Sequence, residues 1–179
     1  MHLSRLIALC LCAMKWPTAI ISPVLLPFAV LELWRYEIFS RVLYGHPYLL
    51  LGSIAYLVSW LLIFKREFSG SFFSTFEHEL THAIFAWMTF NKVTGLTVSW
   101  REGGECRYEG HVNWLMIIAP YFFPTLLLIP ILLGVVFDSS SAPLIDFLFG
   151  LLTLYHLTST WRETHPAQSD LIQVRYLFA

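Results

Sequence analysis

The chain has 179 residues and a net charge of −1; 57% of its residues are apolar and 13% are charged. Soluble domains carry about 25% charged residues, so this composition, with a mean hydropathy of +0.65, predicts a membrane protein. A net charge of −1 gives no reason to propose a surface that binds nucleic acid. The three cysteines have no CxxC spacing and argue against both a disulfide framework and a thiolate metal site.

The first third of the chain is apolar but interrupted. Residues 6–31 contain Lys15 and prolines at 17, 23 and 27, so we expect either a broken transmembrane helix or an interfacial helix followed by a short span. No small-residue cleavage site follows the first apolar run, and this segment is expected to be retained. Residues 42–64 carry no charge, and 47–64 supply the roughly 17–25 apolar residues that one span requires.

A third helix is predicted after a break at Gly70, over residues 71–90. A period of 3.6 residues places its small and polar residues on one stripe. Lipid offers such groups no partner, so the stripe should face protein or an internal water pocket. The stripe consists of Ser71, Ser74, Thr75, His78, His82, Ala86 and Thr89.

Within this helix lies the HExxH motif His78-Glu79-Leu80-Thr81-His82. Two imidazoles four residues apart share one helix face and can bind one Zn²⁺, and Glu79 between them is placed to act as general base. The alternative is a pair of histidines packed in a core. Ionisable groups are rare in membrane segments and are usually functional, which favours the metal site. Zn²⁺ is therefore the predicted cofactor.

The remaining elements follow from alternation and prolines. Residues 92–111 predict a β-hairpin with strands 94–100 and 105–111 and a turn at Gly103-Gly104. Residues 112–137 form a long apolar segment that three prolines should kink or break. A further span is expected over 144–161, and a short segment over 168–178. The predicted fold class is a membrane all-α protein, a polytopic helical bundle of about five to six segments with a small β-hairpin.

A catalytic zinc site usually takes three protein ligands, so a third is needed. Asp170 opens a helix-like segment after a proline and could project rigidly into a bundle, whereas His156 lies inside a span and is its most serious rival. The residues alone leave the choice open. The candidates are Asp170, Glu163, His156, His165, His111 and Glu77.

The order of these features resembles the site-2 protease family of intramembrane zinc metalloproteases. The resemblance rests on HExxH, on Gly110-His111 leading to Ala119-Pro120, and on an aspartate after Pro166. It covers about residues 70–171. In that family the two motif histidines and a distant aspartate bind zinc, so it implies Asp170 as the third ligand. The chain departs from the family by lacking a glycine between Ala119 and Pro120, and by Leu171 where glycine usually follows the aspartate.

The resemblance divides the chain into N-terminal membrane segments, 1–66, and a metalloprotease-like core, 67–179. It implies an intramembrane zinc metalloprotease that cleaves membrane-anchored protein substrates within or near the bilayer. The alternative is a catalytically degenerate subunit with a structural or regulatory role among partner membrane subunits. We expect a multi-pass protein of a prokaryotic cytoplasmic membrane, and a hairpin strand edge that pairs with an unwound substrate.

Overall fold

The computed structural model describes residues 2–65, 67–100, 103–165 and 168–174. The described part is mostly helical and contains a two-stranded antiparallel sheet, in agreement with the predicted helical class and hairpin. Its helices are α1 (His2–Arg35), α2 (Ile38–Gly45), α3 (Pro47–Ser59), α4 (Glu67–Met88), α5 (Trp114–Phe122), α6 (Leu128–Val136), α7 (Ala142–Glu163) and α8 (Ser169–Val174). Its strands are β1 (Lys92–Ser99) and β2 (Gly103–Glu109).

Helix α1 corrects the prediction of a broken first segment. It runs without interruption through Pro17, Pro23 and Pro27. Each proline removes only one backbone hydrogen bond, and in apolar surroundings a helix remains the conformation that satisfies the other backbone groups. The prolines therefore leave one long helix intact.

Helix α3 is the uncharged segment predicted over 47–64, and it continues into a π-helical turn over Trp60–Phe64. Pro47 lies in its first turn, where a missing N–H costs nothing. Helix α3 packs on α7 through Gly52 of α3 and Gly150 of α7. A β-carbon at Gly52 would lie 1.9 Å from the carbonyl oxygen of Phe147, and one at Gly150 would lie 1.9 Å from that of Leu49. The two backbones are thus in direct contact, as small residues permit in membrane helices.

Helix α4 carries the HExxH motif and begins at Glu67, so the predicted break at Gly70 is wrong. A glycine costs a helix only about 1 kcal/mol, which helical neighbours on both sides can offset.

The predicted orientation of the polar stripe is confirmed. Ser74, His78, Ala86 and Thr89 are buried, whereas Phe73, Phe76 and Trp87 on the other faces are exposed.

The predicted β-hairpin is confirmed, with a small shift in its turn. Gly103 and Gly104 pair with Ser99 and Val98, so they belong to β2 and not to the turn. The connecting residues 101–102 lie outside the described ranges. Both strands pack against α4, so the hairpin lies beside the motif helix.

The predicted break in the segment 112–137 is also confirmed. Helices α5 and α6 are bent by 71° relative to each other, and Pro124 and a 3₁₀ turn over Thr125–Leu127 lie between them. Two polar contacts hold this break against α4. The hydroxyls of Thr81 and Thr125 are hydrogen-bonded, and the N–H of Leu126 donates to the Glu77 carboxylate at 3.2 Å.

Fewer helices meet the length and hydropathy of a membrane span than the five to six segments predicted. Within the described residues these are α1 and α7, with a third span if the bent pair α5–α6 counts as one. Helix α3 with its π-helical turn is apolar but shorter. Helix α4 is not among them, because its motif and the preceding Glu77 place charged and polar groups along it.

Candidate metal centre

Three side chains predicted as zinc ligands converge in the structure. Asp170 Oδ2 lies 3.1 Å from His78 Nε2 and 3.2 Å from His82 Nε2. The three potential ligand atoms all lie within 4.8 Å of one another. A metal ion can be held by three histidine, cysteine or acidic side chains that lie this close together. Among the described residues, His78, His82 and Asp170 form one such group.

The donor set fits zinc in both chemistry and spacing. Tetrahedral ligands about 2.0–2.1 Å from Zn²⁺ lie roughly 3.3 Å from one another, close to the two separations of Asp170 from the histidines. Two imidazole nitrogens and one carboxylate oxygen leave a fourth position open, the arrangement that catalytic zinc sites use.

Neighbouring groups orient the two imidazoles. His82 Nδ1 lies 2.8 Å from the carbonyl oxygen of Met116, so it carries the proton and leaves Nε2 free to bind a metal. His78 is buried, and the ring of Tyr121 packs edge-on against it at 5.3 Å. Both rings are therefore fixed by α5, which packs against α4.

Asp170 reaches the site because the chain turns back after α7. Glu163, at the end of α7, accepts one hydrogen bond from Ser74 on α4 at 2.6 Å and another from Gln168 at 3.0 Å. Gln168 directly precedes α8, so this clasp draws α8 towards the motif helix. At the other end of α8, Lys15 of α1 donates to the carbonyl oxygen of Val174 at 2.9 Å.

The Asp170 carboxylate is held in its ionised form. Burial alone would raise its pKa, but the imidazoles of His78 and His82, 3.1 and 3.2 Å away, outweigh burial and hold the pKa well below its usual range. An ionised carboxylate is the form that binds a metal ion.

The other candidates for the third ligand do not join the group. Glu163 lines the same cavity, but its two oxygens accept the hydrogen bonds from Ser74 and Gln168. His156 lies 3.9 Å from Glu77, which is buried against the α5–α6 break. His165 and His111 follow α7 and β2, respectively, and neither belongs to the three-residue group.

Glu79 lies in the cavity that contains the three converging side chains, which has a volume of about 380 Å³. Strand β2 forms the opposite wall. The backbone N–H of Cys106 donates to the Glu79 carboxylate. A β-carbon at Gly104 would lie 2.5 Å from Glu79 Cγ and 2.7 Å from Thr75 Cγ2. The hairpin thus approaches the motif helix so closely that a side chain at position 104 has no room.

Sequence reasoning missed the supporting residues. Gly104 was predicted as part of a turn, although a glycine inside a strand also signals close backbone approach. Cys106 acts here through its backbone, so its side chain carries no signal. The Ser74–Glu163–Gln168 clasp joins residues far apart in sequence, and periodicity carries no information about such contacts.

Residues 69–167 match the Peptidase M50B-like family. The chain belongs to this family. The match includes the HExxH helix, the hairpin and α5–α7, and it ends three residues before Asp170. No curated protein and no solved structure matches the chain.

Membership in the Peptidase M50B-like family confirms the resemblance to the site-2 proteases. Together with the long apolar helices α1 and α7, it indicates a membrane protein of a peptidase family. Helix α1 lies outside the matched residues of this M50B-like chain but contacts α8, the helix that carries Asp170.

Proposed function

We propose that this M50B-like chain is a multi-pass membrane zinc metalloendopeptidase, with His78, His82 and Asp170 as ligands and Glu79 as general base. The observation that carries the proposal is the convergence of three ligand atoms within 4.8 Å in a cavity that Glu79 also lines. A core histidine pair would not require a carboxylate from a separate helix between the two rings.

The roles of the side chains follow from their positions. His78, His82 and Asp170 would hold the Zn²⁺, which when bound would supply the Lewis acidity that allows water to be deprotonated near neutral pH. Glu79 takes the proton from the attacking water and delivers it to the leaving amine. The N–H of Cys106 orients the Glu79 carboxylate for both transfers.

The substrate binds as an extended strand along β2. Backbone groups of alternate residues point to the same edge of a strand. Because the N–H of Cys106 points at Glu79, the backbone groups of Gly104 and Tyr108 share that edge, which faces the cavity. A peptide paired there has its backbone unwound beside the zinc ligands, which a helical substrate could not achieve.

A membrane-anchored protein is the substrate that such a site reaches most readily, since residues 1–66 supply membrane segments and 67–179 the catalytic core. We place the M50B-like protein itself in a prokaryotic cytoplasmic membrane. A degenerate subunit that serves only partner membrane subunits is less well supported, because the three donors, the general base and the cavity are all present.

One experiment tests the function directly. Purified full-length protein is analysed for metal content and incubated with a single-pass model substrate, beside a double variant with His78→Ala and His82→Ala and a Glu79→Gln variant. We expect about one zinc per chain in both the unaltered protein and the Glu79→Gln variant, and cleavage by the unaltered protein alone. Full metal content after both histidines are replaced, or no zinc in the unaltered protein, would refute the proposal.

A further inference from the structure

A groove of about 520 Å³ lies where α3 and α7 end side by side. Its wall consists of Trp60, from the π-helical turn that follows α3, and of Leu157, Thr158, Trp161 and Arg162 from α7. None of these residues lines the cavity that contains the proposed zinc ligands. The groove is therefore a surface that the proposed chemistry does not use.

Helices α3 and α7 run in the same direction, so their ends lie at the same side of the molecule. Gly52 and Gly150 bring the two backbones into contact. Further along both helices, the hydroxyls of Tyr56 and Thr158 are hydrogen-bonded, and Trp60 lies beside the last turns of α7. Helix α7 is long and apolar enough to cross a membrane. Tryptophan at the end of such a helix is typical of the boundary between the hydrocarbon and the lipid headgroups.

Arg162 and Lys65 lie at this end, and neither has an acidic partner among the described residues. Arg162 is partly buried, and the electrostatic neighbour found for its guanidinium group is the Tyr56 hydroxyl, which is uncharged near neutral pH. Lys65 is exposed, with its ammonium group 6.0 Å from the centre of the Trp60 ring. In the part of the chain that the structure describes, no acidic side chain lines the groove. This end of the groove thus carries positive charge that is not neutralised.

Exposed apolar side chains continue from the cationic end along both helices. Leu157, one turn before Trp161, is 58% exposed, and Leu61 and Leu62 next to Trp60 are exposed as well. Such side chains are more stable in contact with hydrocarbon than with water. The surface therefore changes from apolar to cationic within about one helical turn, roughly 5.4 Å. A phospholipid changes from acyl chain to phosphate in the same order.

From this arrangement we infer that the groove binds the headgroup of an anionic phospholipid. The Arg162 guanidinium group presents paired N–H donors to the phosphate oxygens, and Lys65 adds a second positive charge. Lys65 also repels the cation of a choline or ethanolamine headgroup, which favours lipids of net negative charge. Leu157 contacts the beginning of an acyl chain. Neither zinc nor peptide cleavage is required for this binding, which is therefore independent of the proposed function.

Native mass spectrometry measures this binding directly. Full-length protein purified in detergent is titrated with phosphatidylglycerol or with phosphatidylcholine, and the dissociation constant of the first bound lipid is determined. The two lipids carry identical acyl chains, so that their apolar contacts are the same. Phosphatidylglycerol should bind at least about tenfold more tightly, since each basic side chain near a membrane surface strengthens the attraction to anionic lipid roughly fivefold. Equal binding of the two lipids would overturn the site.

Substitutions at the cationic end locate the binding. Arg162→Gln keeps a long polar side chain but removes the charge, so the preference for phosphatidylglycerol should fall about fivefold. Arg162→Lys keeps the charge and should retain most of the preference. Lys65→Gln, at an exposed position, should lower it to a similar or smaller extent and provides the test if Arg162→Gln does not fold. Arg35→Gln is the matched control, because Arg35 also ends a long apolar helix but pairs with Glu32 at 2.9 Å and does not line the groove.

Thermal unfolding in detergent identifies any variant that has lost its fold. An unchanged preference in folded Arg162→Gln protein overturns the site, as does an equal loss in Arg35→Gln, which would show that only the net charge matters. In intact membranes, the photo-crosslinking residue benzoylphenylalanine in place of Leu157 identifies the occupant. Adducts enriched in anionic phospholipid relative to the membrane support the site. Adducts with another protein but not with lipid overturn it and identify the surface as a subunit interface.

Discussion

Gly104 and Glu79 are packed so closely that a β-carbon at residue 104 would lie 2.5 Å from Glu79 Cγ. We predict that Gly104→Ala displaces β2 from α4 and tilts the carboxylate away from the zinc ligands. Cleavage should fall at least about tenfold, because misplacing a reacting group by about 1 Å can cost about a hundredfold. Zinc content should stay near that of the unaltered protein, since the atoms nearest to a β-carbon at position 104 belong to Glu79 and Thr75 and not to the three ligands.

Gly95 provides the matched control. It lies in β1 of the same hairpin, and a β-carbon added there meets no atom within 4 Å. Gly95→Ala should therefore retain cleavage within a few-fold of the unaltered rate. Equal losses in both variants would mean that the hairpin tolerates no alanine at all, and the specific contact with Glu79 would lose its support.

Glu79→Gln should separate metal binding from catalysis. The amide keeps the shape of the side chain but cannot accept a proton, so zinc should remain while cleavage falls by ~10²–10⁴-fold. Glu109→Gln serves as the control, because Glu109 is exposed and its ion pair among the described residues is with Lys92, at 3.4 Å. Cleavage by the Glu79 variant within a few-fold of the unaltered rate would eliminate Glu79 as the base.

Zinc affinity should rank the candidates for the third ligand. Asp170→Ala removes a ligand and should abolish stoichiometric zinc binding. Glu163→Gln weakens the clasp that draws α8 inwards and should lower affinity by about 10–100-fold, as supporting residues typically do. His156→Ala should have little effect. Competition against a zinc chelator measures all three, and the assignment moves to His156 or Glu163 if Asp170→Ala binds zinc normally.

Cys106 should react slowly despite lining the cavity. Burial raises the pKa of its thiol to about 11, and the nearby Glu79 carboxylate adds to the rise. A cysteine with the usual pKa of about 8.5 is partly ionised at pH 8, so the thiolate of Cys106 should be more than about a hundredfold scarcer. Alkylation by iodoacetamide at pH 8, followed by peptide mass spectrometry, should label it far more slowly in native than in unfolded protein. Equal rates would show that the thiol is ionised.

The parts of the site that lie within one element could be predicted from the sequence. The spacing of His78 and His82 fixes their common face on a helix of 3.6 residues per turn, and the small and polar residues around them identify that face as buried. The hairpin was likewise predicted from alternating β-branched residues and glycines. In each case the physical signal repeats within a few residues.

Contacts between distant elements left no such signal. The residue types alone left Asp170, Glu163 and His156 open. Asp170 was favoured by its position after Pro166 and by the family resemblance. The structure shows why Glu163 is unsuited: Ser74 and Gln168 already bind its oxygens. The prolines of α1 misled for a different reason. The rule that prolines break helices is derived from chains in water, where the freed backbone groups have an alternative partner.

The separation of 92 residues between His78 and Asp170 affects the order of events during biosynthesis. A ribosome that adds about 5–20 residues per second makes the aspartate roughly 5–18 s after the first histidine. During that interval the nascent chain has two imidazoles but no third donor, so it should hold zinc weakly. If the proposed ligands are correct, each molecule acquires its metal late in its own translation, after α7 has been made. Until then the incomplete chain lacks its third zinc ligand. It should therefore be unable to cleave neighbouring nascent membrane proteins.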